Sequence, residues 1–232
     1  MKFDPPLEAG RLIKRYKRFL ADVDSPRGPL TLHCANTGAM TGCGSPGDRI
    51  HYRYAPSPKR KLPGSWELTE TVQGHFICIN TARANQLVAE ALAEKRIPEL
   101  AWATEIRAEV RCEQGSRIDF LLSDGNRRCW LEVKSVTLLK DNGLGAFPDT
   151  VSERAKKHLD VLAARMKEGD EAALLFAALH TGIEQVTAAA DIDPAYAQRL
   201  TEVAAEGLKV LAVGASITPG EMRLDQKLKA VL

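Results

Sequence analysis

Arg117-Ile118-Asp119-Phe120 and, after a short turn, Trp130-Leu131-Glu132-Val133-Lys134 are the words of this 232-residue sequence that decide how the rest is read. Side chains alternate along a strand, so Glu132 and Lys134 project from one face together with Trp130 and Val136. Two charges therefore sit between two apolar residues. That placement is costly in a protein interior unless the charges are paired or hold a metal. The turn Ser123-Asp124-Gly125-Asn126 makes the Asp119 strand and the Glu132 strand neighbours in an antiparallel hairpin, which brings a third ionisable group to the same place. An Asp, a Glu and a Lys that converge in this way can bind a divalent ion and a water. Hard oxygen ligands suit Mg²⁺ or Mn²⁺, which would polarise a phosphodiester. The lysine would orient the water or offset charge developing on the phosphorus oxygens. An isolated E-x-K fits a solvated cross-strand salt bridge equally well. The order helix, Asp strand, E-x-K strand, helix is what favours a site.

Working outward, Ala82 to Lys95 carries Leu87, Val88, Ala91 and Leu92 on one stripe, with Thr81 as the expected N-cap and Pro98 beyond the end. Three strands follow, Thr104 to Cys112, Arg117 to Ser123 and Cys129 to Leu138; the turn between the first two is Glu113-Gln114-Gly115-Ser116. A helix over Ser152 to Lys167, a strand at Ala172 to Leu179, a helix from about Pro194 to Glu206 and a last strand, Lys209 to Ala215, complete the pattern. This order predicts a mixed sheet flanked by helices, an α/β domain over residues 81–232.

Residues 1–80 have a different texture. Arg15 to Val23, Leu30 to Ala35, Asp48 to Tyr54, Trp66 to Val72 and His75 to Ile79 are β-rich runs parted by Pro, Gly, Ser and Asn. Five short strands in about 80 residues predict a small barrel, with the oligonucleotide/oligosaccharide-binding (OB) fold as the natural candidate. Leu12, Tyr16, Phe19 and Leu20 also stand at helical spacing, so the first element is open between strand and helix.

Apolar residues at 44% and charged residues at 27%, with 17 Gly and 12 Pro, exclude a disordered or collagen-like chain. The net charge of +2 conceals an asymmetry: residues 1–80 hold 12 Lys/Arg against 7 Asp/Glu, and residues 81–232 hold 20 against 23. A basic front of that kind points to a polyanion. The five cysteines form no C-x-x-C pair, which argues against a zinc ribbon or a disulfide framework. No signal-peptide pattern and no apolar run of membrane-spanning length occur, so the expected location is the cytoplasm, with no membrane partner. His33, His51, His75 and His180 have no triad or ligand spacing and read as structural or exposed.

Within the basic front, Lys14, Arg15, Lys17 and Arg18 alternate with Tyr16 and Phe19, offering charge for a backbone and rings for stacking; Lys59, Arg60 and Lys61 form a second basic word. The alternative is a core Phe19 with solvated lysines. Neither word supplies a base-reading helix, so the DNA binding they imply is salt-sensitive and indifferent to sequence. The loop Asn36-Thr37-Gly38-Ala39-Met40-Thr41-Gly42-Cys43-Gly44 is either an ordinary interstrand turn or a segment that meets the Glu132 site.

The run D-x₁₂-E-V-K after a helix resembles the PD-(D/E)XK nuclease superfamily. The words Pro5-Pro6-Leu7, Arg15-Tyr16-Lys17-Arg18-Phe19-Leu20-Ala21-Asp22-Val23, Asn36-Thr37-Gly38, Trp66-Glu67-Leu68-Thr69 and Glu132-Val133-Lys134-Ser135-Val136-Thr137-Leu138 resemble those of the bacterial sugar fermentation stimulation protein A family, from Phe3 to about Leu211. The resemblance implies an N-terminal OB-type barrel, a nuclease-like C-terminal domain, non-specific DNA binding and a regulatory role in maltose metabolism. It places the superfamily's metal-binding acids on Asp119 and Glu132, its lysine on Lys134 and the helix carboxylate that often completes such sites on Glu90, with Glu105 and Glu109 as weaker substitutes. A solvent-facing helix glutamate is the other reading of Glu90. Phe147-Pro148-Asp149 and Ser152-Glu153-Arg154, with Lys157 and His158, match a further family word. Arg154, Lys157 and His158 fall within about one helical turn and would touch phosphate, or else form a plain basic face. Ala155 and Lys156 stand where relatives commonly show Gly and Gln or Lys, so the helix entry differs at Ala155. Some members of the superfamily have kept the fold and lost cleavage. The resemblance therefore leaves three functions open: a DNA-binding regulator with a nuclease-like metal site, an active metal-dependent deoxyribonuclease, and a regulator acting through protein or sugar contacts. Oligomeric state is not legible.

Overall fold

The structure, a computed structural model, describes residues 1–36, 38–112 and 116–232. Thr37 of the 36–44 loop and the predicted turn at 113–115 lie outside the described residues. The front half forms strands β1 (Glu8–Tyr16), β2 (Leu20–Asp24), β3 (Leu30–Cys34), β4 (Arg49–Tyr54) and β5 (Gly64–Glu70). They pair in the order β3-β2-β1-β4-β5, and a short parallel contact of β3 with β5, His33 opposite Ser65 and Cys34 opposite Trp66, closes a five-stranded barrel of the OB type. Leu12, Val23, Leu32, Ile50, Tyr52 and Trp66 fill it. The first element is a strand, not a helix, and the run expected as one strand from Arg15 to Val23 is a hairpin. Lys17 and Arg18 turn the chain with φ of 48° and 65°, and the Arg15 side chain donates from Nε to the Arg18 carbonyl at 3.2 Å across that turn.

The fifth predicted strand, β6 (Phe76–Cys78), extends β5 instead of closing the barrel and leads into the second half of the chain. Ile77 bridges to His180, and the Cys78 N–H donates to the Leu179 carbonyl at 2.9 Å. Helix α1 (Ala82–Ala93) follows. Thr81 precedes it without a side-chain cap; the Asn80 side-chain oxygen accepts from the Ala82 N–H at 3.2 Å instead.

Strands β7 (Glu105–Arg111), β8 (Arg117–Ser123), β9 (Arg128–Val136), β10 (Leu138–Leu139) and β11 (Leu144–Phe147) come next, then α2 (Glu153–Lys167), β12 (Glu171–Ala178), β13 (Gln185–Ala188), α3 (Pro194–Ala205), β14 (Lys209–Ile217) and β15 (Met222–Val231). They form one mixed sheet in the order β10-β11-β13-β15-β14-β12-β9-β8-β7, so β9 is an interior strand, antiparallel to β8 and parallel to β12. The apolar stripe of α1 covers one face, meeting Phe120, Leu122, Leu131, Val133 and Leu175. Helices α2 and α3 cover the other, where Leu159, Leu162, Tyr196 and Leu200 meet Trp130, Leu174 and Phe176. Strands β10, β11, β13 and β15 go beyond the predicted pattern. The chain's first residues also pack outside the barrel. Lys2 bridges Glu221, and Phe3 and Leu7 enter the α1 core.

A buried polar contact joins the two halves. Glu67, on β5 and 1% exposed, accepts from Asn80 Nδ2 at 2.8 Å and pairs bidentately with Arg83 of α1 at 2.7 and 3.0 Å. Among the described residues, no helix is long and apolar enough to cross a membrane.

Candidate active site

Phe120 lies opposite Leu131 and Leu121 opposite Trp130 in the β8–β9 ladder, one residue short of Asp119 and Glu132. The ladder ends there. The Asp119 carboxylate takes over as acceptor for the Val133 N–H at 2.8 Å. Its other oxygen accepts from Asn85 Nδ2 on α1 at 2.7 Å. Burial, and then the charge of Glu132, push the Asp119 carboxyl above its ordinary range.

Glu132 and Lys134 share the face turned toward α2, as alternation predicts, and both are buried. Lys134 Nζ donates to Glu132 Oε1 at 2.7 Å, and His158 Nδ1 of α2 bonds the same oxygen. Lys134 also stands 3.4 Å from His158 Nδ1. Burial raises the Glu132 carboxyl, yet the His158 hydrogen bond and the Lys134 charge outweigh it and hold the group below its ordinary range. Glu132 Oε2 is buried and has no hydrogen-bond partner. A carboxylate with one oxygen doubly held and the other bare is a costly arrangement without a further ligand, since a buried acceptor normally finds a partner.

Three expectations are revised by this geometry. Glu90 does not face Asp119. Its carboxylate is held by the Met1 ammonium at 2.8 Å and by Arg96 at 3.1 Å, and the α1 side chain that reaches Asp119 is Asn85, five residues earlier and some 140° around the helix. Glu105 bonds Ser123, and Glu109 pairs with Arg117 on the exposed edge strand β7. His158 is not part of a phosphate-facing surface with Arg154 and Lys157. Those two are exposed, whereas His158 points inward beside Ala155, Leu159 and Leu162.

Two carboxylates and a lysine suit an ion such as Mg²⁺, which takes one or two carboxylates and keeps several waters. The unpartnered Glu132 Oε2 and the Asp119 carboxylate, which feels the Glu132 charge, fit that donor set. Among the described residues, no three His, Cys, Asp or Glu side chains cluster as a ready all-protein metal cage.

Beside Lys134, a cavity of about 200 Å³ opens between the halves, lined by Asn36 of the barrel, Thr81, Lys134, Ser135, Phe147 and Asp149 among others. The 36–44 loop therefore does meet the site. The Met40 N–H donates to Asp149 at 3.3 Å, and Arg15 Nη2 holds the carbonyls of Asn36 and Gly38 at 2.9 and 3.1 Å. Arg15 is thus a brace for this loop and not a free surface cation. Lys14, Lys17, Arg18 and Phe19 are exposed in or next to the β1–β2 turn, and Lys59, Arg60 and Lys61 are exposed between β4 and β5. Phe19 is 49% exposed, so the core alternative for it does not hold.

Two family models match the chain: the SfsA N-terminal OB domain over residues 13–79 and the sugar fermentation stimulation protein RE domain over residues 82–221. The structure of Pyrococcus furiosus SfsA in complex with Ca²⁺ superposes with a TM-score of 0.89, covering 100% of this chain and 98% of that one at 22% identity, a likeness of fold. The barrel with its attached mixed sheet, and the family models that together span nearly the whole chain, lead to one assignment: the protein belongs to the sugar fermentation stimulation protein family.

Proposed function

We propose that this protein binds DNA without sequence preference and hydrolyses its phosphodiester bonds with a divalent metal held by Asp119 and Glu132. The observation that carries this reading is the bare, buried Oε2 of Glu132, next to a half-buried Asp119 whose ionisation is already disfavoured. Bound there, Mg²⁺ or Mn²⁺ would polarise the scissile phosphate and make an attacking water more acidic. Lys134 and His158 fix Oε1 of the Glu132 carboxylate, which would leave Oε2 free to hold such an ion. The Lys134 ammonium offsets negative charge developing on the phosphorus oxygens. Val133 N–H and Asn85 orient Asp119. The Ca²⁺ in the Pyrococcus furiosus structure supports a divalent ion in this fold.

DNA is brought to the site by the exposed basic turns. Lys17 and Arg18 lie in the β1–β2 loop and Lys59, Arg60 and Lys61 in the β4–β5 loop, the two loops through which OB barrels bind oligonucleotides. Arg154 and Lys157 at the start of α2 add phosphate contacts. All five cysteines are unpaired and buried, which agrees with a reducing, cytoplasmic setting.

The test is cleavage of plasmid, single-stranded and branched DNA in Mn²⁺ by the wild-type chain and by Asp119→Ala, alongside a salt titration of binding. Metal-dependent cleavage lost in the variant supports the reading. Equal background from both proteins rejects hydrolysis, and affinity that stays flat from low to high salt rejects the DNA interface.

A further inference from the structure

We infer that the cleft between barrel and sheet is a binding site for one unpaired nucleotide, so that the strand this protein engages is a single strand or a frayed end and not a continuous duplex. The inference rests on the proposed function for its nucleic-acid ligand. It adds the form of that ligand.

Two separate features point the same way. The first is the cavity of about 200 Å³ at Lys134. It is walled on the barrel side by Asn36; Arg15 holds the Asn36 and Gly38 carbonyls, and the Met40 N–H donates to Asp149. A recess of this size, with the Phe147 ring and the side chains of Asn36, Thr81 and Ser135 around it, matches a nucleobase offering hydrogen-bonding edges. A base inside a duplex would have to be unpaired to enter, at a cost of a few kcal/mol that an already single strand does not incur.

The second feature is Phe19. It is half exposed between Arg18 and a strand that carries no other ring beside it in sequence, and an exposed ring among cations is the platform on which unpaired bases stack. Phe19 is also connected to the recess. Its carbonyl accepts from the Cys34 N–H at 2.8 Å, two residues before Asn36, and Arg15 bonds both the Arg18 carbonyl and the Asn36 carbonyl. Stacking platform, basic turn and recess are therefore tied together through Arg15 and the β2–β3 backbone.

The experiment measures binding of a labelled 12-mer of oligothymidylate and of a blunt hairpin duplex of equal charge, in Ca²⁺, to the wild-type chain, Phe19→Ala and Thr81→Trp. Thr81 is exposed at the cavity, so a tryptophan there fills the recess without disturbing a core. The single strand should bind about tenfold more tightly than the duplex, and each variant should lose about tenfold on the single strand alone. Equal or tighter duplex binding overturns the inference, and so does loss of equal size on both probes or unchanged single-strand affinity in Thr81→Trp. If the wild-type chain cleaves nothing in Mn²⁺ while these binding differences hold, hydrolysis fails and the nucleotide site stands. No binding to either probe would overturn both.

Discussion

His158 reaches from α2 to the same Glu132 oxygen that Lys134 holds, so two donors from different elements converge on Oε1 and Oε2 is left bare. The histidine acts on the site through the carboxylate. His158→Ala should lower affinity for Ca²⁺ by about 10- to 100-fold, the usual effect of losing a group that orients a metal ligand. It should also cost about 1–3 kcal/mol of stability, because a hydrogen bond to a buried charge is lost. Calorimetric Ca²⁺ titration and urea unfolding read the two effects. His158→Gln, which can still donate to Oε1, should recover part of the affinity.

Asp119 and Glu132 should respond to pH in opposite senses. The folded-state carboxyl of Asp119 is raised by burial and by the Glu132 charge, so the native state is progressively disfavoured as pH climbs from the ordinary value of 3.8 through the raised one. Glu132 is net lowered, against the effect of its burial, by His158 and Lys134. Its contribution is present above 4.5 and is lost as pH falls through the lowered folded value. The stability of Asp119→Asn relative to wild type should therefore rise between pH 3, where Asp119 is protonated in both states, and pH 7. Ca²⁺ should raise the melting temperature of the wild-type chain and leave that of Asp119→Asn unchanged.

The Glu67 pair with Arg83 ties the barrel to α1, the helix whose Asn85 orients Asp119. Glu67→Ala leaves the Arg83 cation without its buried partner, which should cost about 3–5 kcal/mol. Thermal unfolding should then separate into two transitions, in place of the single one expected of the wild-type chain. A single unshifted transition would mean that the pair does not couple the halves.

The acids and the lysine were legible in the sequence because strand alternation and a short hairpin leave little freedom. The hairpin brings Asp119 close enough to feel the Glu132 charge, although the β8–β9 ladder stops one pair short of them, at Phe120 and Leu131. The spacing of Arg154, Lys157 and His158 alone points to one basic face, but the stripe Ala155, Leu159 and Leu162 places His158 on the buried side. Asn85 and Glu90 are both polar positions on α1, and only tertiary contacts, Met1 with Glu90 and Asp119 with Asn85, assign them. Strand β15 escaped detection for a related reason. Met222 and Leu224 are buried, but Asp225, Gln226 and Lys227 follow in an exposed run, and its partners β13 and β14 are set by the sheet and not by local pattern. The β1–β2 hairpin was hidden because its turn residues, Lys17 and Arg18, are not the Gly, Asn or Asp that usually adopt positive φ.

That turn also sets the last prediction. Lys17 and Arg18 are exposed, and no salt bridge engages either of them among the described residues, whereas Lys14 stands 3.7 Å from Asp22 and Arg15 is spent on the loop carbonyls. Within the basic word Lys14 to Arg18, the free charge is thus concentrated at two residues. If each neutralises a phosphate, Lys17→Ala with Arg18→Ala should reduce the slope of log K against log salt by about 2 in all, one for each contact removed, and should weaken binding uniformly across unrelated sequences. Lys14→Ala should change the slope much less. Filter binding or anisotropy at four or more salt concentrations gives these slopes directly. A double variant with the wild-type slope would move the phosphate contacts to Lys59, Arg60, Lys61 and the start of α2, and would separate the β1–β2 turn from the DNA path.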